Sequence, residues 1–271
     1  MKRTTLLSAF TASVLLAGWP CLAVTLSLSS AHDVSALLMG DTARIDVTLG
    51  ELGGEDELVV LEASALFDGA ILGTPTAVAA GAIVPGSLAQ PPDFATFAAP
   101  GQADASFVTF HVSPIEHIIN TGVFYSFDVT AAQPGVGSVV LDGLTLHAEL
   151  VDPQNPFLPI IANVTAGGPL DFYVPMYADT DTDKDVDYYD YVAVRDGFGT
   201  PAGATWAQGD SDRDGDVDVY DYLALKVNFG WADPPGQGQI PPAQGTVPEP
   251  ATLSLLALGG LALIRRRPAG P

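Results

Sequence analysis

From Val24 to about Pro175 the apolar positions recur with a period of two. Thr25-Leu26-Ser27-Leu28-Ser29 alternates cleanly, and so does Ala43-Arg44-Ile45-Asp46-Val47-Thr48-Leu49. One face of each such segment is apolar and the other polar, the pattern of a half-buried strand. Further strand candidates are Glu57 to Leu61, Ala70 to Leu72, Ser106 to Val112, Val123 to Thr130, Gly137 to Leu141 and Leu144 to Leu150. Turn formers separate them at Gly53-Gly54, Pro85-Gly86, Pro91-Pro92, Pro134-Gly135 and Asp142-Gly143. Short strands with Gly/Pro punctuation predict a mainly β fold, an antiparallel β-sandwich or barrel. The Ala-rich segment Ala77 to Ala82 fits neither period. Pro153 to Pro159 and Gly167 to Pro175 form a boundary, with a last strand at Leu170 to Val174.

Past this boundary the pattern changes to a tandem repeat. Residues 178–199 read ADTDTDKDVDYYDYVAVRDGFG, and 209–230 read GDSDRDGDVDVYDYLALKVNFG, equivalent positions lying 31 residues apart. Each half opens with aspartates at alternate positions: Asp179, Asp181 and Asp183, then Asp210, Asp212 and Asp214. So many neighbouring carboxylates repel one another unless a hard cation sits among them, and calcium accepts six to eight oxygens in flexible geometry. In a twelve-residue calcium loop, positions 1, 3, 5 and 12 give side-chain oxygens. Position 7 gives its carbonyl, and position 9 acts through water. The first loop then supplies Asp179, Asp181, Asp183, the carbonyl of Asp185, Asp187 and Asp190. The second supplies Asp210, Asp212, Asp214, the carbonyl of Asp216, Asp218 and Asp221. Two calcium ions are expected. Position 8, Val186 or Val217, is the apolar place through which paired loops usually touch. Gly215 occupies the sharp-turn position 6 of the second loop, where the first has Lys184, so the first site is expected to be the weaker.

A helix of about eight residues should follow each twelfth position, through Asp190 to Arg195 and Asp221 to Lys226, each ending in Phe-Gly. No helix clearly precedes the first loop. Duplication, a twelfth-position Asp and the missing entering helix make residues 178–230 similar to a type I dockerin. The resemblance implies a cohesin-like partner read by Tyr188, Tyr189, Arg195 and Asp196, and by Val219, Tyr220, Lys226 and Val227. Bulky aromatics stand where familiar dockerins carry small hydroxyl or aliphatic residues, so calcium with a purely structural role is the competing reading.

The β region in turn resembles the cohesin-like β-sandwich of secreted bacterial proteins. The resemblance rests on Gly40-Asp41-Thr42 leading into Ile45 to Leu49, on Leu66-Phe67-Asp68 before a loop, and on Gly122 to Val129 followed by Pro134-Gly135.

The two ends carry addresses. Residues 1–23 have a positive start at Lys2 and Arg3, an apolar centre from Leu6 to Ala17, and Cys21-Leu22-Ala23 before a cleavage point at Val24. This is the layout of a secretory signal, and the run is short for a retained anchor. Residues 232–246 form a Pro/Gly/Gln linker. Val247-Pro248-Glu249-Pro250 then precedes an apolar run, Ala251 to Ile264, closed by Arg265, Arg266 and Arg267. As a helix that run would be roughly 20 Å long, against a hydrocarbon core of about 30 Å. The order of parts resembles the PEP-CTERM sorting signal. The resemblance implies cleavage by an exosortase-type membrane protease, with transient membrane contact before processing. An ordinary C-terminal anchor would share the span and the arginines but not the Pro-Glu-Pro motif.

Composition narrows the function classes. A net charge of −22 argues against nucleic acid, which requires clustered Lys and Arg. The one cysteine, Cys21, lies in the signal, so disulfides, thiolate chemistry and Cys-based zinc are not expected of the processed protein. The four histidines, His32, His111, His117 and His147, form no HExxH pattern and adjoin no GxSxG. Glu116-His117 reads as a partly covered surface pair. The aspartates of the repeat would be taken up by metal, leaving no free acid and base for glycoside hydrolysis. The sequence therefore predicts a secreted, non-catalytic, calcium-binding protein of the cell surface or matrix. The alternative is an accessory protein of polysaccharide breakdown that docks through its repeat.

Overall fold

The structure, a computed structural model, describes residues 23–52, 56–109, 116–155 and 157–233. The signal up to Leu22, the linker beyond Asp233 and the sorting motif lie outside the described residues. The chain divides into two units, Met1–Val174 and Pro175–Pro271.

The first unit is built of antiparallel strands with one parallel exception. One sheet comprises β1 (Ala23–Ser30), β2 (Thr42–Glu51), β4 (Thr76–Ala80), β7 (Gly122–Thr130) and β11 (Asn163–Ala166), in the order β11-β1-β2-β7-β4. Ala23, the last residue of the predicted signal, is the first of β1. The β1–β11 pair is parallel. The other sheet runs β10-β9-β3-β6-β5, with β3 at Leu58–Leu66, β5 at Phe94–Ala99, β6 at Gln102–Val108, β9 at His147–Leu150 and β10 at Ile160–Ile161. β8 (Gly135–Leu141) continues it beside the end of β3 and pairs with β12 (Leu170–Val174).

Alternation delivers the core. In β2, Ala43, Ile45, Val47 and Leu49 are fully covered; in β6, Ala103, Ala105 and Phe107 are. The register of β2 against β7 shifts between Val47 and Thr48, and this bulge lets consecutive Phe124 and Tyr125 both turn inward. Phe124 meets Phe94 edge-on at 6.0 Å, and Phe67 stacks on Phe127 at 5.9 Å. Tyr125 donates its hydroxyl to the Ala103 carbonyl at 2.9 Å, so β7 of one sheet is tied to β6 of the other.

Several expectations are corrected. Ala70 to Leu72 is no strand: Gly69–Leu72 forms one helical turn, α1, because the Asp68 carboxylate accepts from Ala70 N at 2.8 Å and caps it. Ala77 to Ala82, unassigned by pattern, supplies most of β4. Strand β5 follows Pro91-Pro92 and was not signalled by alternation. His117 is buried and sits 2.7 Å from Glu57, rather than at the surface beside Glu116.

Candidate metal centre

The second unit holds α2 (Tyr188–Gly197) and α3 (Val219–Asn228), each following an aspartate loop. Both start two residues earlier than expected and run for ten residues, for a reason written in the loops. Asp187 accepts from Tyr189 N at 2.6 Å, while its own N–H donates to Asp190 Oδ2 at 2.7 Å. Asp218 and Asp221 repeat the arrangement at 2.6 and 2.8 Å. This is a capping box with Asp in the Glu position, so position 9 becomes the N-cap and position 12 the third helical residue.

The two loops share one internal geometry. The first-position carboxylate accepts from the position-6 N–H: Lys184 to Asp179 at 3.3 Å, Gly215 to Asp210 at 3.1 Å. The twelfth-position carboxylate is held by position 2. Thr180 gives N–H and hydroxyl bonds to Asp190 at 2.7 and 2.9 Å; Ser211 gives the same to Asp221 at 2.7 and 3.2 Å. Sequence reasoning missed Thr180 and Ser211, although a hydroxyl residue at the same place in both repeats was the available signal.

These bonds gather the carboxylates into four triads, each with ligand atoms mutually within 4.8 Å. Asp179, Asp181 and Asp190 form one, Asp185, Asp187 and Asp190 another. Asp210, Asp212 and Asp221, then Asp216, Asp218 and Asp221, are their counterparts. The fifth-position aspartates Asp183 and Asp214 stay outside the triads, each exposed and accepting from the N–H two residues on. Asp187 Oδ2 and Asp210 Oδ1 are buried and have no hydrogen-bond donor. A buried carboxylate oxygen without a donor requires a cation or a proton. Crowding acts the same way on titration. Desolvation, with Asp190 and Asp183 close by, pushes Asp181 up to about 6. Asp190, Asp212 and Asp216 are raised too, desolvation first in each case. The converging atoms are all hard oxygens, and their spacing fits a cation with oxygens at about 2.3–2.6 Å, the range of calcium.

The apolar support is small. Ala178, Val186, Val194, Val217 and Leu225 form the core, with Tyr191, Trp231 and a few others packed against it. Both position-8 valines are inside it, but their backbones do not pair loop to loop. Val186 bonds to Gly230 and Trp231, and Val217 to Gly199 and Thr200, so each loop is tied to the segment leaving the other half's helix. Gly209 is required where the halves meet: a Cβ there would lie 2.7 Å from Val194 Cα, and its φ is +105°.

All eight residues proposed to read a partner are exposed. Tyr188 and Tyr189 are in edge contact at 6.2 Å. Arg195 and Asp196 are occupied with each other, at 2.7 Å. Val219, Tyr220, Lys226 and Val227 line α3, with Val227 80% exposed.

Comparison with known proteins bears on both ends of the chain's organisation. The PEP-CTERM protein-sorting motif matches residues 246–267, so the C-terminal segment is a sorting signal of that type. No curated protein matches the chain in sequence. Solved structures similar to it are cohesins. The third cohesin of ScaC from Acetivibrio cellulolyticus, in complex with the ScaB dockerin, is 15% identical, with a TM-score of 0.44 over 56% of this chain and 98% of that one. The seventh ScaB type I cohesin from Pseudobacteroides cellulosolvens is 14% identical, with a TM-score of 0.45 over 56% and 92%. CaCohA2 from Clostridium acetobutylicum is 17% identical, with a TM-score of 0.40 over 55% and 90%. Identities this low carry no residue-by-residue correspondence.

Proposed function

We propose that this is a secreted, non-catalytic, calcium-binding protein of the cell surface or extracellular matrix. It is exported by its N-terminal signal and processed at its C-terminal motif by an exosortase-type membrane protease. One calcium ion in each loop, on Asp179, Asp181 and Asp190 and on Asp210, Asp212 and Asp221, holds the second unit together. The supporting observation is Asp210 Oδ1, a buried oxygen that lacks a donor amid converging carboxylates, in a loop whose internal bonds the first loop repeats. Five buried apolar residues are a thin core for a module of this size, and small folds of that kind are commonly stapled by metal. Thermal melting of the secreted protein in calcium and in EGTA tests the reading. A ligand bound only by the folded state at a hundredfold its Kd adds about 2.7 kcal/mol per site. Calcium should raise the Tm of the second unit, and an unchanged Tm would refute the proposal.

A second reading has its own observation. Tyr188, Tyr189, Val219, Tyr220 and Val227 leave apolar surface open on both helices. In this reading the repeat docks to a cohesin-like partner, as an accessory component of extracellular polysaccharide breakdown. Partners recovered with calcium and lost with EGTA would support docking; recovery of the same set in both would exclude it.

A further inference from the structure

The reading above uses one triad in each loop, and the second triad is left over. In the first loop it comprises Asp185, Asp187 and Asp190, all three buried, at 5%, 4% and 0% exposure. Position 7 of a calcium loop is needed only for its carbonyl, so the Asp185 carboxylate has no part in the principal site. It is nonetheless inside the unit, on a backbone fixed by a β-bridge to Ala232. Asp187 spends Oδ1 on Tyr189 N, while Oδ2 is buried without a donor. Asp190 is common to both triads. Its Oδ1 takes two bonds from Thr180 and its Oδ2 one from Asp187 N, so Oδ2 keeps a lone pair for metal and Oδ1 gains one when the Thr180 hydroxyl turns away.

We propose that the first loop takes a second divalent cation on Asp185, Asp187 and Asp190, with Asp190 bridging it to the principal ion. This rests on the calcium reading of the loops. The ligand class is a hard dication, because every donor is a carboxylate oxygen, and oxygens bound to one calcium are at most about 5 Å apart. A 4.8 Å triad fits within that limit. The charge count agrees: the loop carries six aspartates and one lysine, and one dication leaves it strongly negative. In the second loop Asp216 Oδ1 is likewise covered and without a donor, but Asp216 and Asp218 are half-buried where Asp185 and Asp187 are fully buried, so the first loop is the one assigned a second ion.

Equilibrium dialysis of the secreted protein against calcium counts the ions. The wild type should bind three. Asp185→Asn keeps the position-7 carbonyl and should bind two. Asp216→Asn, which removes the same charge from the other loop, should still bind three. Two ions on the wild type would overturn the proposal and return Asp187 to a water-mediated role at the principal site. Three ions on Asp185→Asn would overturn it as well. No calcium bound to any of the three proteins would refute the loop reading itself, a result distinct from either.

Discussion

At the scale of single residues, position 6 separates the two loops. Lys184 has φ +77° and Gly215 φ +93°, so both repeats turn through the left-handed region although only one has glycine there. A residue with a Cβ pays roughly 1–2 kcal/mol for that conformation, and glycine gives back about 0.5–1 kcal/mol through its greater freedom when unfolded. Lys184→Gly also removes a cation that competes with calcium. The substitution should tighten the first loop by about fivefold, equivalent to about 1 kcal/mol, as titration calorimetry would read; a weaker first site would contradict this account of the strain. The twelfth position makes the complementary case. Asp190→Ala leaves Thr180 N–H, Thr180 Oγ1 and Asp187 N–H without their acceptor. Each buried group so orphaned costs about 1–3 kcal/mol, so the loss should be about 3 kcal/mol or more in urea unfolding even with EGTA present. The aspartates were legible in the sequence because chemistry fixes both their type and their spacing. Thr180 and Ser211 were not, since a hydroxyl residue in a loop has many uses and only the fold shows which carboxylate it holds.

At the scale of elements, pH and calcium should act on the loops in opposite directions. Burial, with Asp190 and Asp183 close by, raises Asp181 from the ordinary 3.8 to about 6 in the folded loop. Between those values the folded loop binds more protons than the unfolded chain, so without metal its stability falls as pH rises through the window. Stability is full below about 4 and the loss is complete above about 6. Calcium binds the ionised form and competes with those protons, so its stabilising effect grows over the same range. Melts at pH 4.5 and 7.5, with and without calcium, should show a small calcium shift at the lower pH and a large one at the higher; equal shifts would exclude Asp181 and its neighbours as ligands. Elements also show where pattern reading stops. β2 was legible because Ala43 to Leu49 alternates over a full strand length, and β7 because Tyr125 to Val129 does beyond its bulge. Ala70 to Leu72 was not, because three apolar residues have no period, and the Asp68 cap decided the turn. The helices begin two residues before their expected start because Asp187 and Asp218 cap them, a role that the metal pattern of the loops hides in the sequence.

At the scale of the whole molecule, the two units differ in the size of their cores. The first buries a large cluster running from Val24 to Val174, with aromatic contacts joining its sheets. Tyr125→Phe should therefore cost it about 1–2 kcal/mol, the loss of one buried hydrogen bond with the Ala103 carbonyl left behind, and that cost should be the same in calcium and in EGTA. Calcium-dependent loss would mean that the first unit also depends on metal. The sorting tail makes a separate demand, readable from sequence because it consists of short motifs in fixed order. The run from Ala251 to Ile264 would span roughly 20 Å as a helix, and Arg265 to Arg267 favour the cytoplasmic side. In the proposed function such a segment would hold the chain at the membrane only until it is cut, and Pro248, Glu249 and Pro250 are what distinguish it from an ordinary anchor. Replacing those three residues by alanine keeps the span and the arginines. In a host with its protease, the variant should then stay in the membrane fraction with its tail intact, as mass spectrometry of its C-terminal peptide would show. The wild type should be released without that peptide. Release of the variant at the wild-type rate would mean that the apolar segment and its arginines alone direct processing.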